Sequence, residues 1–281
     1  MRLLRATVLA CAALATPLAA EPAQRVVGVG GSVTETIYAL GAGDRLVARD
    51  TTSTYPEAAA ALPDVGYMRR LSPEGLLSVA PDLILAEDGS GPAETVQILN
   101  AAEVPFVTVP AALDAEGVGA KIRAVGRALQ REAEAEALAQ RIETEIAAVQ
   151  AKSAGAETPT RVMFVLSAAG GRLMASGNDT AADAMIRLAG GENAVTGFPG
   201  YKQLTDEAVL AAAPDVILMM DRGQGGNHGA DGVMSHPAIA ITPAGRDGRL
   251  VQMDGLYLLG FGPRTAQAAA DLHAALYPAG G

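Results

Sequence analysis

Gly66-Tyr67-Met68-Arg69-Arg70-Leu71-Ser72-Pro73-Glu74-Gly75-Leu76-Leu77-Ser78-Val79-Ala80-Pro81-Asp82-Leu83-Ile84-Leu85-Ala86 puts a tyrosine, two arginines, a helix start and a buried strand into one run. Ser72 is a favoured N-cap, Pro73 suits the first helical position, and Glu74 sits where the helix dipole favours an acid. Pro81-Asp82 stops that helix, and residues 83–86 read as a short buried strand. Tyr67, Arg69 and Arg70 therefore fall in the loop ahead of a helix, where a rigid scaffold presents side chains to a ligand.

The second half of the chain repeats the layout. Leu204-Thr205-Asp206-Glu207-Ala208-Val209-Leu210-Ala211-Ala212-Ala213-Pro214-Asp215-Val216-Ile217-Leu218-Met219 aligns with residues 71–86 without a gap. Leucine, Ser/Thr, glutamate, alanine, Pro-Asp and the apolar strand recur in register. A second echo pairs residues 38–44 with residues 186–192. Two halves built alike predict two lobes built alike, with a cleft between them. Tyr67 and its arginines are not repeated; Tyr201-Lys202-Gln203 stands in their place. The shared part reads as scaffold, and the unshared part is where chemistry is expected.

The chain has 281 residues, 49% of them apolar and 19% charged, which excludes a disordered chain and suffices for two domains with a substantial core. The first 20 residues stand apart. Met1-Arg2-Leu3-Leu4-Arg5 is a short basic region, an alanine-rich apolar stretch follows, and Ala19-Ala20 precedes Glu21-Pro22 as a cleavage point, with Leu18 larger than the ideal residue there. This is the pattern of a secretory signal, left out of the fold. Past it, no apolar run reaches the roughly 18 residues of a membrane-spanning helix. Removing Arg2 and Arg5 leaves 19 basic against 31 acidic side chains, a net charge of −12. That argues against nucleic acid or an anionic membrane as partner. The only cysteine, Cys11, lies inside the signal. Val8-Leu9-Ala10-Cys11 is a poor lipid-attachment motif, and the mature chain has no disulfide framework.

Residues 25–29 open the mature chain as a strand, and Gly30-Gly31-Ser32 turns into a helix over 33–40. A nucleotide-binding glycine loop is excluded there, because Val33 stands where the pattern needs glycine and no Gly-Lys-Ser/Thr follows. A strand at 46–49, a polar loop at 50–56, a helix near 57–61, a helix at 95–102 and a strand at 104–109 complete the first lobe. From 114 to 152 the apolar spacing is helical, with Val118, Ile122, Val125 and Leu129 followed by Leu138, Ile142, Ile146 and Val149. The phase shifts near Gln130-Arg131, so a break is expected there, followed by a helix near 30 Å long. The second lobe is expected to contain a strand at 162–166, a helix at 181–188, the repeat unit, a Gly/His loop at 221–232, a strand at 250–253 and a final helix near 265–276. Alternating strands and helices predict α/β lobes with mainly parallel sheets. The proposed division is a signal at 1–20, a lobe at 21–113, a helical connector at 114–154 and a lobe at 155–281. A stiff helix between lobes argues against large hinge closure.

A loop tyrosine is usually half-buried packing, but a phenolate can also ligate ferric iron and tyrosine is a haem ligand. The iron's charge and a nearby guanidinium both favour the anion. Arg69 and Arg70 suit carboxylates, because the planar fork donates two parallel hydrogen bonds, although solvated arginines ahead of a helix are equally ordinary. Glu74 and Glu207 occupy equivalent places; the plain reading is an acid in the first helical turn, and the sharper one is an exposed acid per lobe that meets bases on a two-fold partner. His228, His236 and His273 match no zinc spacing. His273 is read as a surface residue, and His228 in its glycine-rich loop stays open as a cleft residue. No Gly-x-Ser-x-Gly elbow or mature cysteine nucleophile exists, so an enzyme is not expected. The lack of Trp speaks against a site that stacks sugars or siderophores.

Gly66-Tyr67-Met68-Arg69, Leu71-Ser72-x-Glu74-Gly75, Thr242-Pro243-Ala244-Gly245-Arg246 and Met253-Asp254-Gly255-Leu256-Tyr257-Leu258-Leu259-Gly260-Phe261-Gly262-Pro263-Arg264 together resemble the periplasmic haem-binding proteins of bacterial ABC haem-uptake transporters. The likeness spans essentially the whole mature chain. It implies two similar α/β lobes joined by a long rigid backbone helix, the class III binding-protein arrangement, in a periplasmic monomer without transmembrane segment. It implies Tyr67 as axial ligand to ferric haem in the cleft, with Arg69 near a propionate; Arg70 is a further candidate for the propionates, and Arg222 is the candidate for the second-lobe arginine that supports the tyrosine in some relatives. Glu74 and Glu207 become docking acids for a dimeric ABC permease. Some relatives hold a second haem through a histidine near what is here Ser167-Ala168-Ala169; none lies there, which leaves His228 as the substitute. The alternatives are a carrier of cobalamin or a ferric siderophore on the same scaffold, or a haem-dependent enzyme.

Overall fold

A computed structural model describes residues 21–154, 158–221 and 228–278. Residues 1–20, expected to be a secretory signal and containing Cys11, lie outside the described residues with Arg222, and so does the His228 side chain. Strands β1 (Val26–Val29), β2 (Leu46–Arg49), β3 (Leu83–Glu87) and β4 (Phe106–Val109) form a four-stranded sheet in the order β2-β1-β3-β4, parallel throughout. Helices α1 (Gly31–Ala39), α2 (Glu57–Ala60), α3 (Pro73–Leu77) and α4 (Ala93–Ala101) connect them. The inner strands have the unbroken apolar sequences that burial on both faces demands: every residue of β1 and the first four of β3 are buried.

The chain then runs through α5 (Ala115–Leu129) and α6 (Glu132–Ser153). The break falls where the apolar phase shifts, with Gln130 left-handed at φ 57°. The backbone helix α6 has 22 residues, about 33 Å. It does not work alone, since α5 packs along it. Gly126 lets the two approach, because a Cβ there would stand 2.1 Å from that of Ala135. Arg123 on α5 forks to Glu136 and Glu143 on α6 at 2.7 and 2.6 Å.

The second sheet contains β5 (Arg161–Ser167), β6 (Met174–Ser176), β7 (Glu192–Asn193), β8 (Tyr201–Gln203), β9 (Val216–Asp221) and β10 (Leu250–Asp254). Its order is β10-β9-β5-β6-β8, with β7 on β5; β6 pairs antiparallel with both β5 and β8, and the other pairings are parallel. Helices α7 (Ala181–Leu188), α8 (Asp206–Ala212), α9 (His228–Met234), α10 (Pro237–Ala240), α11 (Pro243–Arg246), α12 (Gly255–Leu259) and α13 (Thr265–Leu276) cover it. The fold is therefore α/β, with two lobes and mainly parallel sheets. The short strands β6, β7 and β8 were not legible, because two or three residues carry no periodicity.

The repeat is a structural one. Ser72 Oγ accepts from the Gly75 amide at 2.9 Å, and Thr205 Oγ1 accepts from the Ala208 amide at 3.2 Å, so each caps its short helix. Ala80 and Ala213, at matching places, are both left-handed, with φ 45° and 40°. The Pro-Asp pair does more than stop a helix. Asp82 accepts from the Gln24 and Arg25 amides, both at 2.8 Å, and Asp215 from the Arg161 amide at 2.9 Å. Each acid thus pins the start of its lobe's first long strand. The second echo holds with a shift of one residue, since the left-handed residues after α1 and α7 are Gly41 and Gly190.

One continuous apolar core joins the lobes. It runs from Val26 and Ile37 through Ile122, Leu129, Ile142 and Ile146 of the connector to Phe164, Ile186, Leu218 and Leu272. His273, expected at the surface, is half-buried on α13, with Nδ1 3.0 Å from the Ala189 carbonyl oxygen.

Candidate functional site

Parallel sheets place ligands beyond the carboxyl ends of their strands, and the cleft between the lobes lies there. A cavity of about 570 Å³ is lined from the first lobe by Ser32 after β1, Thr52 and Thr54 after β2, Glu87 at the end of β3, and Tyr67 with Met68. From the second lobe Met220, Asp221, Asp254, Leu256 and Leu259 complete the wall. The volume falls within the range of small-molecule sites.

The loop that carries Tyr67 is braced on both sides. Gly66 takes φ 101°, a left-handed value that a side chain resists, and its amide donates to Asp64 Oδ1 at 2.8 Å. Asp64 Oδ2 accepts from Arg49 at 2.7 Å. Met68 O accepts from the Gly91 amide and Leu71 donates to Gly91 O, both at 2.9 Å. The tyrosine is thus held at the cavity with 38% of its surface exposed. Arg69 and Arg70 follow in a 3-10 turn, both exposed, and neither is among the described cavity-lining residues. Arg69 instead reaches the field of Tyr201 on β8 of the second lobe. Burial pushes the Tyr201 phenol up; the Thr180 hydroxyl, the Arg69 charge and Ser176 oppose that shift. The sequence set Tyr201 apart only as the residue that replaces Tyr67 in the repeat; in the fold its phenol feels the charge of the first lobe's Arg69.

Glu74 and Glu207 are exposed in the first turns of α3 and α8. The backbone amide at the helix start and the Thr205 hydroxyl hold the Glu207 carboxyl below the usual range. His236 caps α10 through the Ala238 amide, with Nε2 3.0 Å from Gly171 O, so it is engaged away from the cavity. Among the described residues no group of three or more His, Cys, Asp or Glu side chains is placed to hold a bare metal ion.

Two polar centres were not legible in the sequence. Asp50, fully buried, accepts from the Gly30 amide at 3.0 Å, the Thr52 amide at 3.0 Å, and the Thr52 and Ser53 hydroxyls at 2.7 Å each. It ties together the two loops that form the first lobe's share of the cavity floor. Lys121 on α5 is 1% exposed and donates to Glu87 Oε1 at 2.8 Å, Ser32 Oγ at 2.8 Å and Gly260 O at 3.3 Å. The helical spacing of α5 assigns Lys121 no partner; its acceptors come from three distant segments.

Residues 26–256 match the family model described as periplasmic binding protein. Among solved structures, the chain is similar to the periplasmic haem-binding protein BhuT in complex with two haems, at 45% identity and a TM-score of 0.84, covering 90% of this chain and 97% of that one. It is similar to the periplasmic haem-binding protein RhuT from Roseiflexus sp. RS-1 in apo form, at 41% identity and a TM-score of 0.85, over 90% of this chain and 98% of that one. The vitamin B12-binding protein of Yersinia pseudotuberculosis serotype O:1b is 30% identical over 218 residues, 76% of this chain and 75% of that protein.

Proposed function

This chain belongs to the periplasmic binding protein family, and from that premise we propose that it carries ferric haem in the interlobe cavity and delivers it to an ABC permease. The observation that carries the reading is Tyr67, held by a braced loop on the wall of a cavity whose other contributors include Met68, Met220, Leu256 and Leu259. A phenolate is a hard, anionic oxygen donor suited to ferric iron, and thioether and leucine side chains suit the faces of a macrocycle. Burial of those faces supplies much of the affinity. Arg69 and Arg70, exposed beside the loop, take the propionates, and Arg222 supports the tyrosine from the second lobe. The likeness to proteins named haem-binding, at 41% and 45% identity, supports the same cargo. Residues 1–20 serve as the export signal. Glu74 and Glu207, one exposed acid per lobe on matching helices, dock the carrier on the permease dimer.

A haemin titration of the chain without residues 1–20, followed by absorbance, tests this. The expected result is saturation at one equivalent with a ferric high-spin, tyrosinate-type spectrum that Tyr67→Ala loses. Saturation at two equivalents places a second haem, and His228→Ala then returns the count to one. If no haemin is taken up, the haem reading fails.

Cobalamin is the second reading. Glu87, Asp221 and Asp254 put carboxylates on the cavity wall, which suit the amide donors of a corrin periphery, and one relative is named for vitamin B12 binding. Cyanocobalamin titrated in parallel decides between the two.

A further inference from the structure

We infer that Glu87, backed by Lys121, is a selectivity residue of the cavity that favours a metalloporphyrin with a positively charged metal core over one with a neutral core. The inference rests on the haem reading above. Glu87 ends β3 on the cavity wall. Its Oε1 accepts from Lys121 Nζ at 2.8 Å and its Oε2 from Ser32 Oγ at 3.0 Å. Lys121 spends its three donors on Glu87, Ser32 and Gly260 O and, being 1% exposed, has no hydrogen left to offer a ligand. An ionised carboxylate has about four acceptor positions, and these two bonds use half of them. The glycine at position 30 leaves the carboxylate its place, since a Cβ there would stand 2.7 Å from Oε2. The outcome is an oriented pair with the ammonium behind the wall and the carboxylate toward the cavity.

A porphyrin holding a trivalent metal has a core of one net positive charge, whereas a divalent metal leaves the core neutral. The propionates are the same in both, so what Arg69 and Arg70 contribute through the propionates cancels from the ratio of the two affinities. The oriented pair does not cancel: its negative end, the carboxylate, lies nearer the metal core than the ammonium behind it, so a net field of the carboxylate's sign reaches the core. This makes the carrier selective for the oxidised form of its cargo by a term additional to the tyrosine itself.

Gallium protoporphyrin and zinc protoporphyrin serve as trivalent and divalent probes that do not change oxidation state on binding. The dissociation constant of each is measured for the wild type, Glu87→Gln and Asp88→Asn, the last removing an exposed neighbouring acid outside the cavity wall. The wild type is expected to prefer the gallium compound, Glu87→Gln to lower that preference about three- to tenfold, and Asp88→Asn to alter it by less than about twofold. A purely structural ion pair would weaken both probes alike and leave the ratio unmoved, and that result overturns the inference. Should Glu87→Gln fail to fold because Lys121 loses its counter-charge, Glu87→Gln with Lys121→Met removes both charges and the preference must still fall. If neither porphyrin binds the wild type, the haem reading itself fails and the inference goes with it.

Discussion

Tyr67→Phe removes one oxygen and leaves the braced loop, with its Gly66, Asp64 and Gly91 contacts, as it was. If that oxygen ligates iron, haemin affinity falls by about two orders of magnitude and the tyrosinate absorption disappears, while the thermal midpoint barely moves. Retained affinity would assign the tyrosine to packing, the ordinary role for a residue of its type. A second phenol gives a pH test. Burial first, and then donation to Asp271 at 2.7 Å, push the Tyr257 phenol up, so the folded state favours its neutral form. That stabilisation is fully present below about pH 10, the unfolded value, and is lost as pH rises through the higher folded value. The urea midpoint should therefore decline as pH rises above about 10, and less steeply in Tyr257→Phe; equal slopes would refute the assignment. At this scale the sequence marked Tyr67, Arg69, Glu74 and Glu207 through local signals: a helix start, a repeat and the break in that repeat. It was silent on Asp50, Glu87 and Lys121, whose roles come from contacts between residues 20 to 139 positions apart.

The repeated unit explains itself once its hydrogen bonds are followed. Arg25 donates to the carbonyls of Val79 and Ala80 at 2.6 and 2.8 Å, and Arg161 Nη2 donates to that of Ala212 at 2.8 Å. With Asp82 and Asp215 on the strand amides, each lobe closes an arginine–aspartate clasp between its first long strand and the turn that follows α3 or α8. The left-handed alanines at 80 and 213 shape that turn, at a cost of about 1–2 kcal/mol per residue for a side chain in this region. Ala80→Gly and Ala213→Gly should therefore stabilise the chain, each by up to about 1 kcal/mol after the entropy of the added glycine. Asp82→Ala and Asp215→Ala should each destabilise it by about 1–3 kcal/mol, as urea unfolding would register. Strand and helix positions were legible because α5, α6, α7 and α13 are long enough to display a period, and α3 and α8 have a cap and a stop. The clasp was not, because Arg25 and Arg161 look like ordinary charged residues ahead of a strand.

Across the whole molecule, the question is whether two lobes behave as two bodies. The apolar core passes unbroken from one sheet through α5 and α6 to the other. On the cleft side a second fastening crosses between lobes: Arg264 Nη2 donates to Glu35 Oε2 at 2.9 Å and its amide to Oε1 at 3.2 Å. The guanidinium also lies over the Tyr55 ring at 3.6 Å and the Tyr257 ring at 4.9 Å, one from each lobe. Glu35 is 5% exposed, so Glu35→Gln leaves Arg264 without its counter-charge and should cost about 3 kcal/mol. A joint of this kind predicts that the lobes unfold together. Urea unfolding followed by circular dichroism, which reports helices throughout, and by tyrosine fluorescence, which is usable because the chain has no Trp, should give coincident transitions in the wild type. Because the continuous core joins the lobes independently of this fastening, Glu35→Gln should lower the midpoint yet keep the curves superimposed. Curves that separate already in the wild type would mean two independently folding lobes, and with them the freedom to hinge that this interface argues against.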